Sequence, residues 1–126
     1  VTISLNHTIV PAVDNEAAAR FLADVLGLEY GGLHPVARHF AQLRINDQLT
    51  LDYMTVPEPT GHHLAFDVDP ATFDAAVAHL REHDLPHGDG PGTHTNGRVD
   101  ERHPLGGRGV YFADPSGNLY ELISPS

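Results

Sequence analysis

Two histidines and two carboxylates recur as matched pairs along this 126-residue chain. His7 and His63 each fall in a strand-like run near the start of one half of the sequence, and Asp52 and Glu121 each fall in the last extended run of their half. Aligned on their first strands, the halves set His7 opposite His63. Aligned on their last strands, they set Leu51-Asp52-Tyr53 opposite Tyr120-Glu121-Leu122. Two imidazoles with one or two carboxylates form a ligand set suited to one divalent ion: Fe(II), Mn(II), Ni(II), Co(II) or Zn(II). The chain has no cysteine, so thiolate sites and disulfides are excluded.

Those residues need elements that bring them together, and the elements also repeat. In the first half a strand-like run over 5–10 precedes Asp14 and a helical stretch over 16–26. There Ala17, Phe21, Leu22 and Val25 keep helical spacing, and Gly27 ends the helix. In the second half a run over 62–68 precedes Asp69, a helix cap, and Pro70, which suits a first turn. Phe73, Val77 and Leu80 mark one side of that helix, which ends near His83 and Asp84. Extended runs over 38–45 and 48–54 flank Asn46-Asp47, and runs over 109–113 and 118–123 flank Asp114-Pro115-Ser116-Gly117, both turn signals. Each half therefore reads strand, helix, then two or three strands.

Alternation along the strands predicts which way the ligands point. Leu64, Phe66 and Val68 share one face of their strand, leaving His63, Ala65 and Asp67 on the other. A slip of one residue would substitute His62 for His63 and turn Leu64 and Phe66 outward, so it is rejected. Glu121 opposes Tyr120 and Leu122, and Asp52 opposes Leu51 and Tyr53. His7 is less decided, because Leu5 and Ile9 lie on its side and Thr8 on the other. If helices cover the apolar faces, Leu5, Ile9, Met54, Leu119 and Ile123 become apolar walls beside a small-ligand pocket.

Composition narrows the partners. With 17 acidic against 7 basic residues the net charge is −10, which repels phosphate backbones and argues against nucleic-acid binding. A cation or a basic small molecule would be attracted. No stretch is long and apolar enough to span a membrane, and residues 1–5 read as strand rather than export signal, so a cytoplasmic location is expected.

The pattern resembles the vicinal-oxygen-chelate superfamily, which includes glyoxalase I, extradiol dioxygenases, methylmalonyl-CoA epimerase, fosfomycin-resistance enzymes and bleomycin-resistance proteins. The resemblance covers nearly the whole chain. It rests on Asn6-His7, on Phe21 with Leu26-Gly27-Leu28, on Gly61-His62-His63-Leu64-Ala65-Phe66-Asp67-Val68, and above all on Phe112-Ala113-Asp114-Pro115-Ser116-Gly117-Asn118-Leu119-Tyr120-Glu121-Leu122. It implies an α+β fold of two tandem βαβββ modules forming a cupped mixed sheet. That would be a single domain over 1–126, with modules of about 1–57 and 58–126. By resemblance the metal ligands are His7, His63 and Glu121, with Asp52 at the position of a variable fourth, in a cleft often completed by dimerisation; a homodimer is expected.

In that family a metal with open positions binds two neighbouring oxygens of a substrate and stabilises the oxyanion or enolate that forms. Glu121 or Asp52 would serve as the catalytic base. The first expectation is therefore a metal-dependent lyase or isomerase acting on a small oxygenated molecule, with Asp52 as fourth ligand. With Asp52 off the metal, the two-histidine, one-carboxylate set suits an Fe(II) dioxygenase. A metal-free, drug-sequestering protein is the third. Phe21 is followed by Leu22 rather than the usual tyrosine, and no serine-rich potassium loop is evident, which counts against a fosfomycin-resistance enzyme. The scarcity of basic residues counts against strict glutathione dependence.

The remaining histidines have plainer readings. His79 and His83 lie four apart on a helix without a zinc-protease glutamate, and His34, His39 and His87 follow no pattern. Residues 88–109, rich in Gly, Pro and His, form a segment that could cover the site. Its His94, Arg98, Arg102, His103 and Arg108 are candidate substrate-loop residues, and His94, His103 or Tyr111 could act as an acid–base group.

Overall fold

The computed structural model describes residues 1–125. The chain runs β1 (His7–Ala12), α1 (Asn15–Leu26), β2 (Phe40–Arg44), β3 (Thr50–Thr55), β4 (His63–Asp67), α2 (Pro70–Glu82), a 3₁₀ turn (Pro91–Thr93), β5 (Arg108–Ala113) and β6 (Leu119–Ser124). Both helices start where their caps dictate. Asp14 accepts from the Ala17 N–H, and Asp69 accepts from the Thr72 N–H ahead of Pro70 in the first turn. Gly27 stops α1 in the left-handed region at φ 69°, where a side chain would be strained.

The strands form two three-stranded mixed sheets, ordered β1-β3-β2 and β4-β6-β5. In each, the first strand of the module pairs in parallel with the last, and a hairpin supplies the antiparallel neighbour. The further strand of each βαβββ module is reduced to short bridges. Leu33 pairs with Ala41 outside β2, and Gly88 and Asp100 pair with Tyr111 and Gly109 outside β5. In the first module that added strand contains Gly31 and Gly32, the latter at φ 87°, which breaks extended pairing after a few residues.

One core joins the modules. Val10, Ala41, Leu43, Leu51 and Tyr53 from the first sheet cluster with Val110, Phe112, Tyr120 and Leu122 from the second, together with Leu22, Phe73 and Leu80 of the helices. The Tyr53 and Tyr120 hydroxyls meet at 2.6 Å inside this core, and Tyr120 donates onward to Asp114 at 3.0 Å. Burial pushes both phenols up, beyond the ordinary tyrosine range. Asn118, fully buried, donates to the Pro11 carbonyl at 3.0 Å and accepts from the His62 N–H at 2.9 Å, tying β1 to the start of β4.

β1 begins at His7 and runs through Pro11, two residues later than the hydrophobic run suggests. Proline lacks a ladder donor and is tolerated because β1 is an edge strand. The shift also decides the side of His7. Val10 and Ala12 are buried, so His7 and Ile9 take the opposite, open face.

Candidate functional site

The register makes the two modules superimposable residue by residue. In the first sheet Asp52 lies across from Ile9 of β1 and Gln42 of β2, with His7 two residues before Ile9. In the second, Glu121 lies across from Ala65 of β4 and Tyr111 of β5, with His63 two residues before Ala65. His7 thus corresponds to His63, Asp52 to Glu121 and Gln42 to Tyr111. Each set occupies the open face, because its neighbours Leu51 and Tyr53, or Tyr120 and Leu122, are in the core.

The second-sheet set is tightly bonded. His63 Nε2 lies 2.9 Å from Glu121 Oε1, a contact possible because parallel pairing sets β4 and β6 side by side. His103 Nε2 lies 2.5 Å from Glu121 Oε2, and the Tyr111 hydroxyl donates to the same oxygen at 2.9 Å. Burial pushes Glu121 up, but the hydrogen bonds from His103, Tyr111 and His63 outweigh it and hold the carboxyl below its ordinary range. Tyr111 is pushed up to about 12 by burial and by its bond to Glu121. Glu121 is therefore ionised at neutral pH and Tyr111 is a phenol.

The first-sheet set is looser. Gln42 Nε2 approaches Asp52 Oδ1 at 3.4 Å, and His7 Nδ1 lies 2.8 Å from Asn6 Oδ1, which leaves Nε2 free. A groove beside them is lined by His34, Gln42, Arg44 and Asp52. Arg44 is braced by bonds to Thr50 Oγ1 and the Asp47 carbonyl. Gln42 and Arg44 went unnoticed in the sequence; the signal for Gln42 was its hairpin register opposite Asp52.

Within one chain the structure brings His63 and Glu121 together but not with His7 or Asp52. Among the described residues no group of three His, Asp or Glu side chains is arranged to hold a metal ion. The two sheets share no ladder, and β1 and β4, which carry the histidines, are both edge strands. Of the loop candidates, His103 reaches the site. His94 turns to the Pro91 carbonyl, and Arg108 pairs with Asp74 on α2 at 2.9 Å. His62 stays exposed, while its backbone bonds Asn118 and Leu119.

The family model of the Glyoxalase/Bleomycin resistance protein/Dioxygenase superfamily matches residues 4–122. The chain belongs to this superfamily. The solved structure of oxidase ChaP-H2 is 37% identical, with 100% of this chain and 96% of that chain covered at a TM-score of 0.88. Oxidase ChaP-H1 is 35% identical over 99% of this chain and 98% of that chain, with a TM-score of 0.86. The solved structure of TnmS3, an antibiotic binding protein from Streptomyces sp. CB03234, is 25% identical over 99% of this chain and 98% of that chain, with a TM-score of 0.70. No curated protein matches the chain. No helix of the described residues is long and apolar enough to cross a membrane.

Proposed function

We propose that the protein is a metal-dependent oxidase of small oxygenated organic molecules, using dioxygen, with its metal held between two copies of the chain. His7 comes from one copy and His63 with Glu121 from the other, and Asp52 stands beside His7. The observation that carries this reading is the matched register, which puts an imidazole and a carboxylate on the open face of each sheet while leaving both histidine strands with a free edge. A second copy can lay its β4 edge along β1 and bring the two faces together. Leu5 and Ile9, beside His7, are 64% and 42% exposed, apolar surface that such pairing would cover.

The donor atoms suit a metal. Two ligands at right angles with bonds of about 2.1 Å lie about 3 Å apart, and His63 Nε2 and Glu121 Oε1 are separated by 2.9 Å. His7 has its Nδ1 engaged by Asn6, the arrangement that frees Nε2 for a ligand position. When bound, the metal would supply Lewis acidity and, as Fe(II), a site for dioxygen. The chain's own residues do the rest. Glu121 stays ionised, Tyr111 offers a phenolic proton 2.9 Å from Glu121 Oε2, and Arg44 and Gln42 present donors to substrate oxygens from the groove.

The likeness to two oxidases, over nearly the full length of both chains, favours oxygen chemistry over the lyase or isomerase expected first. Asp52 supports the lyase or isomerase as second reading, since a fourth protein ligand would leave fewer open positions.

Mixing variants tests the shared site. His7→Ala and His63→Ala proteins should each fail to hold metal by elemental analysis. Unfolded and refolded together, they should regain about one site per heterodimer, since one of its two sites is then intact. Metal retained in full by His63→Ala, no recovery on mixing, or a concentration-independent monomer by light scattering would overturn the assignment. Oxygen uptake with a catechol, lost with chelator, separates the oxidase from the lyase. Tight binding of a basic drug unaffected by chelator would instead indicate a sequestering protein.

A further inference from the structure

The segment between α2 and β5 carries two buried histidines, His87 and His103, and the side chain of His103 is only 3% exposed although its surroundings are rich in glycine and proline. The chain is wrapped around the His103 ring. The His103 N–H bonds the Gly107 carbonyl at 3.0 Å, its carbonyl accepts from Gly106 at 2.8 Å, and its Nδ1 accepts from the Leu105 N–H at 3.0 Å. Because Nδ1 accepts the Leu105 N–H hydrogen bond, it must keep its lone pair, and the ring proton sits on Nε2, aimed at Glu121 Oε2.

The sequence makes room for this ring at one position. Counting along β2 and β5 from the matched pair Gln42 and Tyr111, Phe40 of the first module corresponds to Gly109 of the second. A Cβ on Gly109 would lie 2.5 Å from His103 Cδ2 and 3.3 Å from Cγ. The second module therefore has no side chain where the first has a phenyl ring, and the imidazole from the loop lies there. Ladder bonds of 2.8 Å in both directions between Asp100 and Gly109 hold the loop against that strand.

We propose that His103 is a positioning residue for Glu121. Together with Tyr111 it saturates Oε2, so that Oε1, beside His63, is the one oxygen presented to the metal. This rests on Glu121 being a ligand. Among the described residues the first module has no such arrangement, since the Asp52 side chain meets only Gln42, at 3.4 Å.

The test uses metal-free full-length protein and Co(II). Long-range proton–nitrogen spectra should show His103 protonated on Nε2 and bare on Nδ1; a proton on Nδ1 overturns the proposal. His103→Phe should weaken Co(II) binding roughly 10–100-fold and alter the visible Co(II) spectrum. His103→Gln, which keeps a donor near the Nε2 position, should recover most of that loss. Gly109→Ala displaces the ring without touching Glu121 and should weaken binding in the same direction; it stands in if His103→Phe fails to fold by circular dichroism. If wild type binds Co(II) and His63→Ala does not, yet folded His103→Phe and Gly109→Ala bind as wild type, this inference alone fails. If wild type itself binds no Co(II), the metal reading fails and this one with it.

Discussion

The open faces of the two sheets descend from the same pattern but hold their carboxylates differently. Glu121 receives three side-chain hydrogen bonds and is held below its ordinary pKa range, whereas Asp52 receives one long contact from Gln42. The cause is traceable to two positions and one loop. Tyr111 stands where the first module has Gln42, Gly109 stands where it has Phe40, and residues 88–107 bring His103 into the space that results. The repeated module thus keeps the histidine and carboxylate positions and varies what surrounds them. A fixed carboxylate suits a permanent ligand, and a loosely held one suits a group that moves or exchanges.

Breaking each side in turn gives unequal effects. Glu121→Ala should abolish metal retention, weakening affinity by well over ~100-fold, while Asp52→Ala should weaken it by about tenfold or less, both read by competition with a chelating dye. Equal losses would mean that the two carboxylates share one role.

In the core between the sheets, Tyr120→Phe removes a hydroxyl that bonds both Tyr53 and Asp114, and leaves Asp114 Oδ2 with the Asn118 amide as its remaining donor. A loss of about 1–3 kcal/mol in urea unfolding is expected. Tyr53→Phe removes a single bond and should cost less, about 1 kcal/mol.

The Glu121 clamp should also show in pH. Its folded pKa lies below the ordinary glutamate range, so the stability it confers is complete above that range and is lost as pH falls through the folded pKa. Metal-free wild type should therefore lose its advantage over Glu121→Gln between neutral and strongly acidic pH, measured by urea melts. A difference independent of pH would show that the carboxylate's charge contributes nothing to the fold. The smallest effect belongs to Asn6→Ala, which frees the exposed His7 ring and should lower metal affinity only severalfold.

Much of the fold was legible in the sequence. Asp14 and Gly27 bracket α1, Asp69 and Pro70 open α2, and Asp114 to Gly117 turns β5 into β6, because caps and turns depend on local chemistry that a few residues specify. The matched faces of Asp52 and Glu121 followed from alternation alone. What alternation does not encode is which free edge a strand joins, so the separation of the sheets within one chain was not legible. His103 named itself only as one polar loop residue among several. Its meaning lies in Gly109, a break in the correspondence between modules that becomes visible only once the register is known.

The buried amide of Asn118 has a consequence for how such a chain can be inherited. Its donors and acceptor complete the hydrogen bonding of Pro11 and His62, main-chain groups belonging to opposite repeats. A gene exchange that replaced either repeat alone would have to supply both an amide and a carbonyl at matching depth, or leave an orphaned polar group inside the protein. With this cross-stitch in place, the two repeats can be passed on only as a couple.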